Sequence, residues 1–112
     1  MNDENRWHVT AKVTWFGVGE GGRASGPPTG ALFSPTLVFT SEKDGGAGIE
    51  GLEQFSVVMG MVATFAYSSV VNLRFLAPDL VARHIVPGAE IFVMEGRRPV
   101  GKATITAALR EH

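Results

Sequence analysis

Fourteen glycines and six prolines cut this chain of 112 residues into short apolar runs, and the spacing inside those runs constrains the fold most. From Trp7 to Phe16 one face is made of Trp7, Val9, Ala11, Val13 and Trp15, the other of His8, Thr10, Lys12 and Thr14. Period two with β-branched and aromatic residues is the pattern of a strand that buries one side. Gly17 to Gly30 holds Gly19, Gly21, Gly22, Gly26, Pro27 and Pro28 between its ends, a loop that no helix crosses. A second strand is expected over Ala31–Thr40, with Phe33, Leu37 and Phe39 on one side. Pro35 has no N–H to give, so it predicts an edge or a bulge there.

Ser41 to Gly51 is a second polar, glycine-rich loop. The first half of Leu52–Tyr67 reads as strand through Phe55, Val57, Met59 and Met61, while Met61–Ala66 fits a strand or a turn of helix. Val70–Ala77 is a strand with Val71, Leu73 and Phe75 inward and Asn72 and Arg74 outward. Pro78 stops it, and Asp79–Pro87 is a compact connection with one helical turn at Leu80–Arg83. Ala89–Met94 and Val100–Leu109 complete the set, the last placing Ala103, Ile105, Ala107 and Leu109 on one face. About six strands spaced by Gly/Pro turns predict an all-β domain, a small closed antiparallel β-barrel or a sandwich. Closure also removes the free edges that so many apolar strands would leave. Residues 1–6 are expected to be a disordered tail, and 7–112 a single domain.

Composition narrows the function classes. Hydrophobic residues make up 45% of the chain, too many for a disordered one. With no cysteine there is neither a disulfide framework nor a thiolate metal site, which favours the cytoplasm. The polar, acidic start Met1–Arg6 is unlike a signal peptide, and no apolar stretch is long enough to predict a membrane span. A formal net charge of −1 argues against a strong general nucleic-acid binder. Residues 1–56 carry four Lys/Arg against seven Asp/Glu, and residues 57–112 carry six against four. That surplus matters only if the fold gathers it on one face.

Two glycine motifs invite a nucleotide reading, and neither survives its context. Gly96 to Lys102 fits G-x-x-x-x-G-K, but Ala103 stands where the magnesium-binding hydroxyl belongs, and period-two residues follow instead of a helix. Gly17 to Gly22 contains G-x-G-x-x-G after a strand, yet Gly26, Pro27 and Pro28 deny it the helix that must come next. No cofactor is expected. His8, His84 and His112 are scattered without metal-ligand spacing, and His8 reads as a solvated outer-face residue. No serine sits in a G-x-S-x-G elbow, and Glu50 and Glu53 read as solvated loop residues. Trp7 and Trp15 read as core or barrel-rim packing. An enzyme is not expected.

Three stretches resemble the third, C-terminal β-barrel domain of bacterial elongation factor Tu. Glu20-Gly21-Gly22-Arg23 after the first strand matches that family's Glu-Gly-Gly-Arg, and the second strand with Pro35 and Phe39 resembles its Arg-Pro-Gln-Phe-Tyr-Phe. Gly88 to Gly101 resembles its closing hairpin, Gly-Leu-Arg-Phe-Ala-Ile-Arg-Glu-Gly-Gly-Arg-Thr-Val-Gly. The resemblance spans about residues 7–110 in order, with a poor match over Ser41–Ala66. It implies a six-stranded antiparallel barrel without chemistry of its own, which contacts tRNA and packs on the GTPase domain and the exchange factor. The family's tRNA contact on the closing turn would fall on Glu95 and Gly96, and Arg23 would lie near the GTPase interface.

The departures shape the expectation. The family's arginine before the strand-two proline is Ser34, its His-Thr-Pro is Ala24-Ser25-Gly26, and its second closing glycine is Arg97. No GTPase domain precedes this one in the sequence, so coupling of nucleotide state to tRNA release is not expected. The expected function is a non-catalytic binding module towards RNA of the tRNA kind or a protein of the translation apparatus. The alternative is a protein-interaction or regulatory module with no role on RNA. The candidate surface comprises Arg23, Arg74, Glu95, Gly96, Arg97, Arg98 and Lys102, on the argument that arginines on a protruding turn meet backbone phosphates.

Overall fold

In a computed structural model the described residues are 7–17, 19, 21–23, 26–28, 30–40 and 53–108. The expected tail at 1–6, the loop at 41–51 and the inward place of Leu109 lie outside them. The elements are β1 (Val9–Trp15), β2 (Leu32–Phe33), β3 (Thr36–Phe39), β4 (Phe55–Phe65), β5 (Ser68–Phe75), a short helix α1 (Pro78–Val81), β6 (Glu90–Glu95) and β7 (Arg98–Ala108). A 3-10 turn at Ala82–His84 follows α1.

Every pairing is antiparallel, and the ladder closes on itself. β1 lies between β5 and β7, β7 pairs β6, β6 pairs β3, β3 pairs β4, and β4 returns to β5. The result is a closed six-stranded barrel with a seventh short segment, β2, on β4. Leu32 faces Gly60 and Phe33 faces Met59, while Thr36 faces Ser56 and Leu37 faces Phe55. β2 and β3 therefore hold one register on β4, interrupted at Ser34–Pro35. Pro35 breaks the strand as its missing donor requires, but β3 is paired on both sides and is not an edge.

Alternation sets the core. Val9, Ala11, Val13 and Trp15 point inward from β1, and Val71, Leu73 and Phe75 do so from β5. Val57 and Met59 of β4, Ile91 and Val93 of β6, and Ala103 and Ile105 of β7 fill the rest. Burying one such side chain stabilises the fold by about 1.5–3 kcal/mol. Trp15 stands opposite Gly101, where a Cβ would come within 3.0 Å of the indole. The second glycine of the apparent phosphate loop thus makes room for a core tryptophan. The indole Nε1 donates to the Oγ of Ser69 at 2.9 Å, which satisfies a hydroxyl that is only 1% exposed.

Bulges account for the places where simple alternation misleads. Thr10 faces Ala107 while Ala11 faces Ile105, so Thr106 is an extra residue in β7. The side-chain parity flips there, and Ala107 is exposed rather than inward as expected. The Thr106 hydroxyl donates to the Thr10 carbonyl at 3.1 Å across the bulge. A second irregularity, between Met61 and Ala63, lets β4 continue as strand to Phe65, so the alternative of a helical turn at Met61–Ala66 falls. The β4–β5 hairpin turns on Ala66 with φ of 55°, a conformation that favours glycine.

The start of β1 departs from its expected pattern as well. His8 is half-buried: its Nδ1 accepts the Phe75 N–H at 3.0 Å, replacing a ladder carbonyl, and its ring stacks on Phe75. It is no solvated outer residue. Trp7, freed from the ladder, lies on the outer wall over Gly60, where a Cβ would sit 2.7 Å from the ring. The two tryptophans consequently occupy opposite faces of the wall. At that end of the barrel Phe39 stacks on Phe75 and on His84 and meets Phe55 edge-on. Val81, fully buried, reaches in from α1. Pro78 ends the strand region and opens this helix at its first turn, where its missing N–H costs nothing.

Candidate binding surface at the barrel mouth

The opposite end holds most of the expected surface. β6 and β7 are joined through Gly96 and Arg97, with Glu95 opposite Arg98. Gly96 has φ of 65°, a value that a two-residue hairpin turn requires and that glycine adopts at no steric cost. The register slips between Val93 and Met94, where Val100 is an extra residue of β7; both Val93 and Met94 are buried, Val93 in the core cluster and Met94 outside it. Phe16 donates its N–H to the Val100 carbonyl at 2.9 Å and Trp15 to the Tyr67 carbonyl at 2.7 Å, which ties the neighbouring strand ends to the same rim.

The loop after β1 folds onto that turn. Gly22 donates its N–H to the Gly17 carbonyl at 2.9 Å, and a Cβ at Gly22 would overlap the Phe16 carbonyl, so only glycine fits. This tight bend aims Arg23 across the mouth. Its Nε donates to Glu95 Oε2 at 3.1 Å and its Nη1 to the Gly26 carbonyl at 2.8 Å. Its guanidinium stands 5.1 Å from the centroid of Phe33, whose ring meets Trp15 edge-on. The second oxygen of Glu95, Oε1, accepts from Arg98 at 3.3 Å. A column thus runs from the core outward: Trp15, Phe33, Arg23, Glu95, Arg98.

Among the expected residues the structure therefore brings Arg23, Glu95, Gly96, Arg97 and Arg98 together. Arg97 is exposed and makes no ion pair among the described residues. Lys102 is four residues beyond Arg98 along β7 and is held by Glu90 at 3.3 Å. Arg74 is elsewhere. It lies on β5 with its guanidinium 5.6 Å from the Trp7 ring centroid, near the level of His8, whereas the mouth begins at Thr14, opposite Lys102. From His8 to Thr14 is about 20 Å of strand. By way of β4 it comes nearer, since Arg74 faces Val58 and Val58 lies level with Ser34 of the strand break.

Beside the turn an open groove of about 280 Å³ is lined by Phe33, Ser34, Pro35, Thr36, Gln54, Met94, Glu95 and Gly96. It forms where the strand breaks at Pro35, level with the last residues of β6. Sequence reasoning missed this groove because it depends on the break at Pro35 meeting the end of β6, a pairing that no single strand announces. It also missed the Arg23–Glu95 pair, which joins residues 72 apart with no local signal. The Glu95–Arg98 pair, flanking a two-residue turn, was accessible from opposite charges at hairpin spacing. Among the described residues no three His, Asp or Glu side chains gather closely enough to hold a metal ion, and no helix is long and apolar enough to cross a membrane.

No protein-family model matches the chain, and no curated protein sequence matches it at a significant level. The elongation-factor resemblance stands on the residues quoted for it.

Proposed function

We propose that this chain is a non-catalytic, cytoplasmic binding module of the elongation-factor-barrel type, which docks a protein partner at the barrel mouth. The groove beside the closing turn carries the proposal: Phe33, Pro35 and Met94 offer an apolar slot, and Arg97 offers a cation unpaired among the described residues. An extended segment with an apolar side chain followed by a carboxylate suits that arrangement. The resemblance marks the same place as a contact surface, since the family's tRNA contact would fall on Glu95 and Gly96. The lack of cysteine supports the cytoplasmic part of the reading. A pull-down from native cytoplasm with wild type and Arg97→Glu tests it. A protein captured by the wild type and lost from the variant supports the proposal; ribosomal or transfer RNA captured in its place refutes it.

A second reading, RNA of the tRNA kind, draws on the three arginines that meet at the mouth against one carboxylate among the described residues. The ion pairs of Arg98 and Lys102 weigh against it, because phosphate contacts need free cations.

A further inference from the structure

The outer wall of the barrel has two unlike halves. Over β1 and β7 it is polar: Thr10, Lys12, Thr14, Lys102, Thr104 and Thr106. Over β2 and the end of β4 it is apolar, with Leu32 64%, Val62 60%, Phe65 68% and Tyr67 48% exposed. These residues follow one another along β4 and its hairpin tip. Leu32 faces Gly60, on which Trp7 lies; Val62 is the bulge residue two positions on; and Phe65 and Tyr67 flank the hairpin tip.

The same half has an open ladder. The Met61 N–H reaches the Ala31 carbonyl at 2.9 Å, and beyond Met61 β4 has a described neighbour on one side only, β5. A strand edge of unpaired N–H and C=O groups accepts another extended strand. Exposed edges are commonly guarded by Lys, Glu or Pro, yet from Gln54 to Leu73 there is no charged residue and no proline.

We propose that two copies of this chain associate through these walls, antiparallel along the β4 edges, to form a two-fold dimer. The occupant follows from self-complementarity. An uncharged edge meets its own copy without repulsion, and antiparallel pairing of identical edges satisfies both ladders and closes after two chains. The area agrees with this occupant. The four exposed side chains with part of Trp7 offer on the order of 500 Å² per copy, so two copies bury roughly 1,000 Å², the lower bound of a specific interface. Affinity in the micromolar range is expected from an interface of that size. This proposal does not depend on what the mouth groove binds.

Sedimentation velocity on the full chain, from low micromolar to near-millimolar concentration, reads the outcome. Wild type is expected to pass from monomer to dimer. Phe65→Lys and Leu32→Lys, both at exposed positions with folding checked by circular dichroism, are expected to weaken association about tenfold or more. Lys12→Glu on the polar wall leaves it unchanged. A wild type that stays monomeric, variants that dimerise like wild type, or growth beyond two copies would each overturn the proposal, the first leaving the wall to a different partner.

Discussion

Replacing Arg23 by alanine tests how the mouth is held together. The guanidinium makes a charged hydrogen bond to Glu95 at 3.1 Å, a second to the Gly26 carbonyl at 2.8 Å, and a face contact with Phe33 at 5.1 Å. The Arg23 side chain is 21% exposed and that of Glu95 43%, so solvent screens the ion pair, which is worth about 0.2–1 kcal/mol. The cation–π contact adds about 0.5–1 kcal/mol. The bond to the Gly26 carbonyl exchanges for water when lost and contributes roughly 0.5–1 kcal/mol. Arg23→Ala should therefore cost about 1–3 kcal/mol, a drop of roughly 5–15 °C in the unfolding midpoint of a domain this size. Arg23→Lys keeps the charge but loses the forked geometry, and should fall between. Urea unfolding followed by tryptophan fluorescence measures the stability, and limited proteolysis of the 17–30 loop measures its release. If Arg23→Ala unfolds at the wild-type midpoint, or the loop resists protease as before, the column through Arg23 does not fasten the mouth.

Further predictions address the rest of the barrel. Ser69→Ala leaves the Trp15 indole N–H without its acceptor and should cost about 1–3 kcal/mol, while adding Trp15→Phe should show a coupling of about 1 kcal/mol in a double-mutant cycle, measured by thermal unfolding. His8→Leu removes the acceptor of the Phe75 N–H and should cost about 1–2 kcal/mol, with faster amide exchange at Phe75 by NMR. Ala66→Gly relieves a positive φ at the β4–β5 turn and should raise stability by about 0.5–1 kcal/mol, read from the denaturation midpoint.

The sequence made the fold legible where side chains alternate without interruption. β1 and β5 are uninterrupted from end to end, and their inward residues are those that period two selects. Pro35 announced its own break, because the lack of a donor is a property of the residue. The extra residue at Thr106 could not be foreseen, since a bulge depends on how two strands pair and leaves no mark in one of them. Trp7 and His8 misled for a related reason: the ladder hands its acceptor role to a ring nitrogen just before Val9, and both side chains change place. At the mouth the closing turn was readable from Gly96 and its flanking charges. The contact of Arg23 with Glu95 was not, because closure of the barrel, and no local pattern, brings residues 72 apart together. Arg74 shows the converse, a positive residue that looks like part of the closing surface until its guanidinium is found beside the Trp7 ring.

The functional reading meets its most direct test in a filter-binding titration with total tRNA over a range of salt. A docking surface for protein, with Arg98 and Lys102 committed to Glu95 and Glu90, predicts no retention even at low salt. Retention that falls steeply as salt rises, and is weakened by Arg97→Glu, would contradict it and establish the mouth as a phosphate-binding surface.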